Sequence, residues 1–179
     1  MTQVGNVYAQ GLYALAKDES LTKQILDQMQ VLESSFLQEP AFLRLLSSPN
    51  LPKEERCDVI DKSFRGKVHP YVLNFLKILT EKGYIRHFSD CVVSYKTQYN
   101  EDNGILPVNV VSAVELTAEQ KDKLTVKLSK MTGKDIELTN VIEPDCLGGI
   151  RLDYDGKQID GTVRNRLDEI RNLLKNTVL

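Results

Sequence analysis

The chain has 179 residues, 41% of them hydrophobic and 27% charged, a composition that suits an ordinary globular protein of one domain or two small ones and gives no sign of disorder. A formal charge of -2 argues against strong attraction to nucleic acid or anionic lipid, both of which reward clustered Lys and Arg. Cys57, Cys91 and Cys146 are odd in number, widely spaced and without a Cys-x-x-Cys pair, so neither a disulfide framework nor a zinc site is expected and the thiols read as reduced and cytosolic.

The opening residues lack the basic and apolar stretches of a signal peptide, and no window approaches the ~20 apolar residues of a membrane span. Over the first hundred residues the hydrophobic period is helical. Val4, Val7, Tyr8, Leu12 and Leu15 make one helical face, and Ala9, Tyr13 and Ala16 make a second stripe. A helix apolar on two faces is either buried between neighbours or offers one face to something outside. A second helix is expected from near Ser20 to just before Pro40, where the residue preceding proline leaves α space, and a short third from Ala41 to Leu46. Pro52 with Glu54 and Glu55 reads as the first turn of a fourth helix carrying Val59, Ile60 and Phe64. Gly66 and His69-Pro70 precede a fifth, with Val72, Phe75, Leu76 and Leu79 as its apolar face, Tyr71 and Ile78 beside them, and Gly83 at its end. Ile85, Phe88, Val92, Tyr95 and Tyr99 predict a sixth. Six such helices on short connections predict a bundle over residues 1–104.

At Glu101-Asp102-Asn103-Gly104 the period changes from 3.6 to 2, and residues 105–179 form a second module. Ile105 to Val111 reads as a strand; Thr117 and Gln120 form a capping box for a helix that turns Leu124 and Leu128 inward and ends near Gly133. Asp135 to Ile142 is another strand. From Leu147 the chain reads as strand, Asp155-Gly156 hairpin turn, strand, then a helix with Val163, Leu167, Ile170 and Leu174 buried. The fold class is α+β: a helical bundle followed by a β-α-β-β-β-α unit.

Catalytic and cofactor motifs are lacking. Gly148-Gly149 has neither the Lys-Ser/Thr of a phosphate loop nor the third glycine of a dinucleotide fingerprint, and reads as a place where a strand packs closely on a helix. Asp153 to Gly156 starts like a calcium loop but its glycine comes too early. Glu54 and Glu55 point about 100° apart, and His69 and His87 stand on separate helices without a nucleophile signature. No catalytic residue, metal or cofactor is expected. On the last helix Arg164, Asp168, Arg171 and Lys175 share a face, which is either solvated or paired with a charged partner helix.

Two stretches carry a family resemblance. Val7-Tyr8-Ala9-Gln10-Gly11-Leu12-Tyr13-Ala14-Leu15-Ala16 resembles the Tyr-Ala-x-x-Leu-x-x-x-Ala opening of the delta subunit of F-type ATP synthases, the family that includes the mitochondrial oligomycin sensitivity-conferral protein. Glu143-Pro144 with Gly148 and Gly149, followed by Asp160, Thr162, Val163 and Leu167, resembles its more specific closing signature. Glu143 stands where the family commonly has Asp, Cys146 replaces a small residue, and an arginine usual after the fifth helix is displaced to Arg86. The resemblance implies a non-catalytic stator subunit, one copy per complex, peripheral on the cytoplasmic face of a bacterial membrane, that couples proton flow to ATP synthesis. Its bundle would hold N-terminal segments of the alpha subunits, and its second domain the C-terminal end of the b stalk. Tyr8, Ala9, Leu12, Tyr13, Ala16, Tyr71, Phe75, Ile78 and Leu79 are then the expected alpha-binding residues, and Arg164, Asp168, Arg171 and Lys175 those for b. An unrelated two-domain adaptor that binds amphipathic helices is the alternative.

Overall fold

The computed structural model describes residues 3–48 and 51–167. Its contacts divide the chain into two compact units, Met1–Tyr99 and Asn100–Leu179. The protein is mixed α+β.

The first unit contains α1 (Gln3–Asp18), α2 (Thr22–Gln38), α3 (Pro40–Leu46), α4 (Lys53–Phe64), α5 (Pro70–Glu81) and most of α6 (Phe88–Asp102). Two details depart from expectation. Pro52 is not the first helical residue but the extended residue before it, with ψ 147°, and Ile85–His87 form a separate 3-10 turn ahead of α6. The helices share one apolar cluster in which Ile25, Met29, Leu46, Ile60, Val72, Leu76, Leu79 and Ile85 have no exposed surface. Phe36 anchors an aromatic group, stacked on Phe42 at 5.8 Å and meeting Phe88 edge-on at 5.2 Å. Each such side chain contributes about 1.5–3 kcal/mol by leaving water.

On α1 the inward stripe is Ala9, Tyr13 and Ala16, whereas Val7 and Leu15 are 63% and 54% exposed. The spacing leaves open which stripe turns inward; the structure buries Ala9, Tyr13 and Ala16 and, from the first stripe, Leu12. Small residues win the inner position because α1 lies close against α6: Gly5 abuts Asp90, the Ser94 hydroxyl bonds Asn6 Oδ1, and Tyr13 meets Tyr95 edge-on at 5.1 Å. The Tyr95 hydroxyl donates to the Thr22 carbonyl at 3.1 Å, and burial pushes its pKa upward.

The second unit is a four-stranded sheet in the order β2-β1-β3-β4, built from β1 (Ile105–Ser112), β2 (Asp135–Ile142), β3 (Ile150–Tyr154) and β4 (Lys157–Asp160). β1 and β2 are parallel and joined through α7 (Ala118–Thr132); the other pairs are antiparallel. Alternation places Leu106, Val108, Val110 and Leu152 in one core with Leu124 and Leu128 of α7. Pro107, which cannot donate to a ladder, lies in the stretch of β1 that precedes its pairing with β3 at Asn109. At the hairpin, Asp155 and Gly156 take φ of 48° and 69°, the pair of positive values that a two-residue turn requires.

Thr117 caps α7 by accepting from the Gln120 N–H at 3.3 Å, and Gln120 Oε1 accepts from the Thr117 N–H at 2.9 Å. Thr117→Ala removes half of this reciprocal pair and is expected to lower stability by about 1 kcal/mol in urea unfolding, with no change in the folded circular dichroism spectrum.

Candidate functional site: a helix-docking groove

The α1 face that carries the exposed Val7 and Leu15 adjoins α5. Val7, Tyr8, Gly11, Leu12 and Leu15 from α1 and Tyr71, Asn74, Phe75 and Ile78 from α5 line an open groove of about 280 Å³. It is almost wholly apolar; the Asn74 amide and the tyrosine hydroxyls are the polar groups at hand.

Both walls are fixed from behind. On α5, Val72, Leu76 and Leu79 are buried, and His69 starts the helix by accepting the Tyr71 N–H on Nδ1 at 3.3 Å while its own N–H donates to Gln28 Oε1 at 2.7 Å. Lys77 on the flank bonds Asp61 of α4 at 2.7 Å, and this bond holds the Asp61 carboxyl below the usual carboxylate range. At the other end Tyr8 packs on Tyr84 with ring centroids 5.9 Å apart.

Of the residues expected to bind a partner, Tyr8, Leu12, Tyr71, Phe75 and Ile78 line the groove. Leu12 and Phe75 belong to the buried core as well and form the groove's floor, while Ala9, Tyr13, Ala16 and Leu79 lie in the core behind it. Val7, Gly11, Leu15 and Asn74 were absent from the expected set. Val7 and Leu15 were visible as apolar positions at helical spacing, but nothing in the spacing said which stripe faced out. Gly11 sits mid-helix, where glycine costs about 1 kcal/mol relative to alanine.

Groups suited to chemistry are engaged structurally. His87 Nδ1 faces Asp90 at 3.4 Å, and Glu54 and Glu55 occupy the first turn of α4. Cys57 lies in a polar hollow with Asp61, Lys77 and Glu81, where burial and the Glu81 charge push its pKa up, and burial carries Cys91 to about 11. Among the described residues no group of three or more His, Cys, Asp or Glu could hold a metal, and no helix is long and apolar enough to cross a membrane. A second open apolar hollow, about 590 Å³, lies over Phe36, Phe42 and Phe64.

In the second unit the closing signature folds into one backbone lock. The strand expected from Leu147 begins only at Ile150, because Leu147, Gly148 and Gly149 all have positive φ. A Cβ on Gly149 would collide with the Gly161 carbonyl oxygen, so this glycine packs on a turn and not on the helix that the sequence suggests. Val163 N–H donates to the Gly148 carbonyl at 3.0 Å and Gly161 N–H to the Ile150 carbonyl at 3.0 Å. Asp160 Oδ1 accepts the Thr162 N–H at 2.9 Å, and Thr162 Oγ1 accepts the Asn165 N–H at 3.2 Å, which starts the helical residues 163–167. The hydrogen bonds from Thr162, its backbone N–H first and its hydroxyl second, hold the Asp160 carboxyl below its ordinary pKa. Val163 and Leu167, expected to be buried, are 42% and 53% exposed, and the side chains that pack on Leu106, Val108 and Val110 include Leu124 and Leu128 of α7. Arg164 is exposed, with Asp145 3.8 Å away; Asp168, Arg171 and Lys175, like Ile170 and Leu174, lie outside the described residues.

The family model described as "ATP synthase delta (OSCP) subunit" matches residues 4–174. The ATP synthase subunit delta of Alkaliphilus oremlandii is 31% identical over 176 residues, 98% of each chain. That of Clostridioides difficile is 29% identical over 176 residues, 98% of this chain and 97% of its own. Among solved structures, a chain of the Toxoplasma gondii mitochondrial ATP synthase hexamer has the same fold, with a TM-score of 0.75 over 97% of this chain and 98% of that one at 16% identity.

Gly149→Ala meets both a left-handed backbone and the Gly161 carbonyl, and is expected to cost more than about 2 kcal/mol in thermal or urea unfolding. Because the Asp160 pKa is lowered on folding, its contribution is present above the unfolded carboxylate pKa and is lost as pH falls through the folded value. Asp160→Ala should therefore flatten the acid limb of a stability-against-pH curve, and an unchanged limb would rule this role out.

Proposed function

The chain belongs to the ATP synthase delta (OSCP) subunit family, and from that premise we propose that its α1–α5 groove holds the N-terminal helix of an alpha subunit while residues 105–179 grip the b stalk. Members of the family are non-catalytic peripheral-stalk subunits of F-type ATP synthase, and this chain is one of them. The match to the family over almost the whole chain displaces the alternative of an unrelated adaptor.

The observation that carries the docking reading is the groove itself, an apolar trough between α1 and α5, with Val7 and Leu15 more than half exposed along its edge. An amphipathic partner helix can bury its apolar face there, the helix-in-groove mode of recognition. Residues 1–104 are read as a six-helix bundle that caps the catalytic head, and the second domain as the contact to b near Arg164, on the cytoplasmic face of the membrane.

A stationary connector must hold against the torque of rotation, which asks for affinity near 1 nM, about 12 kcal/mol. Two modest sites supply it when both partners belong to one assembly, since each contact raises the effective concentration for the other and avidity exceeds the single affinities by about 10²–10⁴. Coupling of proton flow to synthesis then follows from the protein's holding both ends at once.

Leu15→Glu and Ile78→Glu place charge in the groove while leaving the core stripe intact. Each is expected to weaken binding of a synthetic alpha-subunit N-terminal peptide at least about 100-fold by calorimetry. Val31→Glu, at an exposed site on α2, should bind as the unaltered chain does. Equal affinity for all four proteins would remove the groove from the docking site.

A further inference from the structure

Nine of the ten glycines have a reason inside the chain itself. Seven hold positive φ, Gly5 is pressed against Asp90, and Gly161 lies close to the Ile150 carbonyl. Gly11 has none. It sits in the interior of α1, outside the left-handed region, and a Cβ built there would meet nothing within 4 Å. Glycine is the poorest residue for a helix interior after proline, so alanine would serve the isolated fold better.

Its position shows what the gap does. Val7, Gly11 and Leu15 follow one another at i, i+4 and i+8, so they form a single ridge along α1, and both flanking side chains stand out into solvent. The ridge therefore has a notch one residue wide at the middle of the groove. Helices cross with axes 8–10 Å apart according to the side chains at the contact, and a missing Cβ permits the short end of that range.

We infer that Gly11 is the crossing point at which the partner helix lays its backbone against α1, with Val7 and Leu15 gripping it on either side. The occupant is an amphipathic helix that presents glycine, alanine or serine at the notch; a bulky residue there would lift it off the ridge. The inference rests on the reading of the α1–α5 groove as the alpha-subunit site and adds the register and the residue that select the ligand.

The test titrates the full chain, Gly11→Ala and Gly11→Leu with the synthetic alpha-subunit N-terminal peptide, and records a thermal melt of each protein alone. Gly11→Ala is expected to melt about 1–4 °C higher than the unaltered chain, since it removes a helix-interior glycine, and yet to bind the peptide at least about tenfold more weakly. Gly11→Leu should keep the folded circular dichroism spectrum and lose about 100-fold or more. Gln10→Ala, one residue aside and exposed, should bind as the unaltered chain does. Binding by Gly11→Ala as tight as that of the unaltered chain, or tighter, would overturn the notch while leaving the groove as the docking site. Failure of the unaltered chain to bind the peptide would overturn both.

Discussion

The edge-on contact between Tyr13 and Tyr95 fixes which way α1 faces, and the docking surface follows from that choice. With Ala9 and Ala16 on the same stripe and Gly5 against Asp90, α1 can approach α6 closely only on its small-residue side. Turning the other stripe inward would push Val7 and Leu15 into a space sized for alanine, an overpacking that cores resist. The larger apolar residues are therefore left outside, beside α5, where they make a trough in place of a core. A surface that would be a solubility liability on an isolated protein is the expected property of a subunit held within an assembly.

The second unit solves a different problem. A peripheral connector has to transmit force through its backbone, and the turn that carries the closing signature is tied by four hydrogen bonds among Gly148, Ile150, Asp160, Gly161, Thr162, Val163 and Asn165. Glycine at 149 is required twice over, by its φ of 76° and by the approach of the Gly161 carbonyl. Asp160 and Thr162 satisfy backbone N–H groups that the start of a helix would otherwise leave open. The signature is thus a folding element, and its acid does capping work rather than proton transfer.

The same economy holds for the other reactive groups. His69 caps α5, Asp61 ties α4 to α5 through Lys77, and Cys91 and Cys146 are buried. Polar side chains that a catalyst would direct into a cleft here join one element to the next, which suits a protein whose work is to remain joined to its neighbours.

Sequence alone determined the elements. Caps at Thr117, His69-Pro70 and Gly133, the Asp155-Gly156 turn and the change of period after Gly104 are local signals, encoded in a few adjacent residues, and the paired motifs at the two ends pointed to the family. Missing from the sequence was the rotation of each helix about its axis. Two apolar stripes on α1 are equivalent until a neighbour selects one, and the selection lies in residues 80 or more positions away, Asp90, Ser94 and Tyr95. For the same reason Leu79 is counted among the groove residues and Leu15 is left out of them, the reverse of the packed arrangement. The close approach of Gly149 to Gly161 is likewise invisible along the chain, since it arises only when β3 and β4 pair. Burial is a property of three-dimensional neighbours, and only the packed structure decides which apolar residues are spent on folding and which remain for a partner.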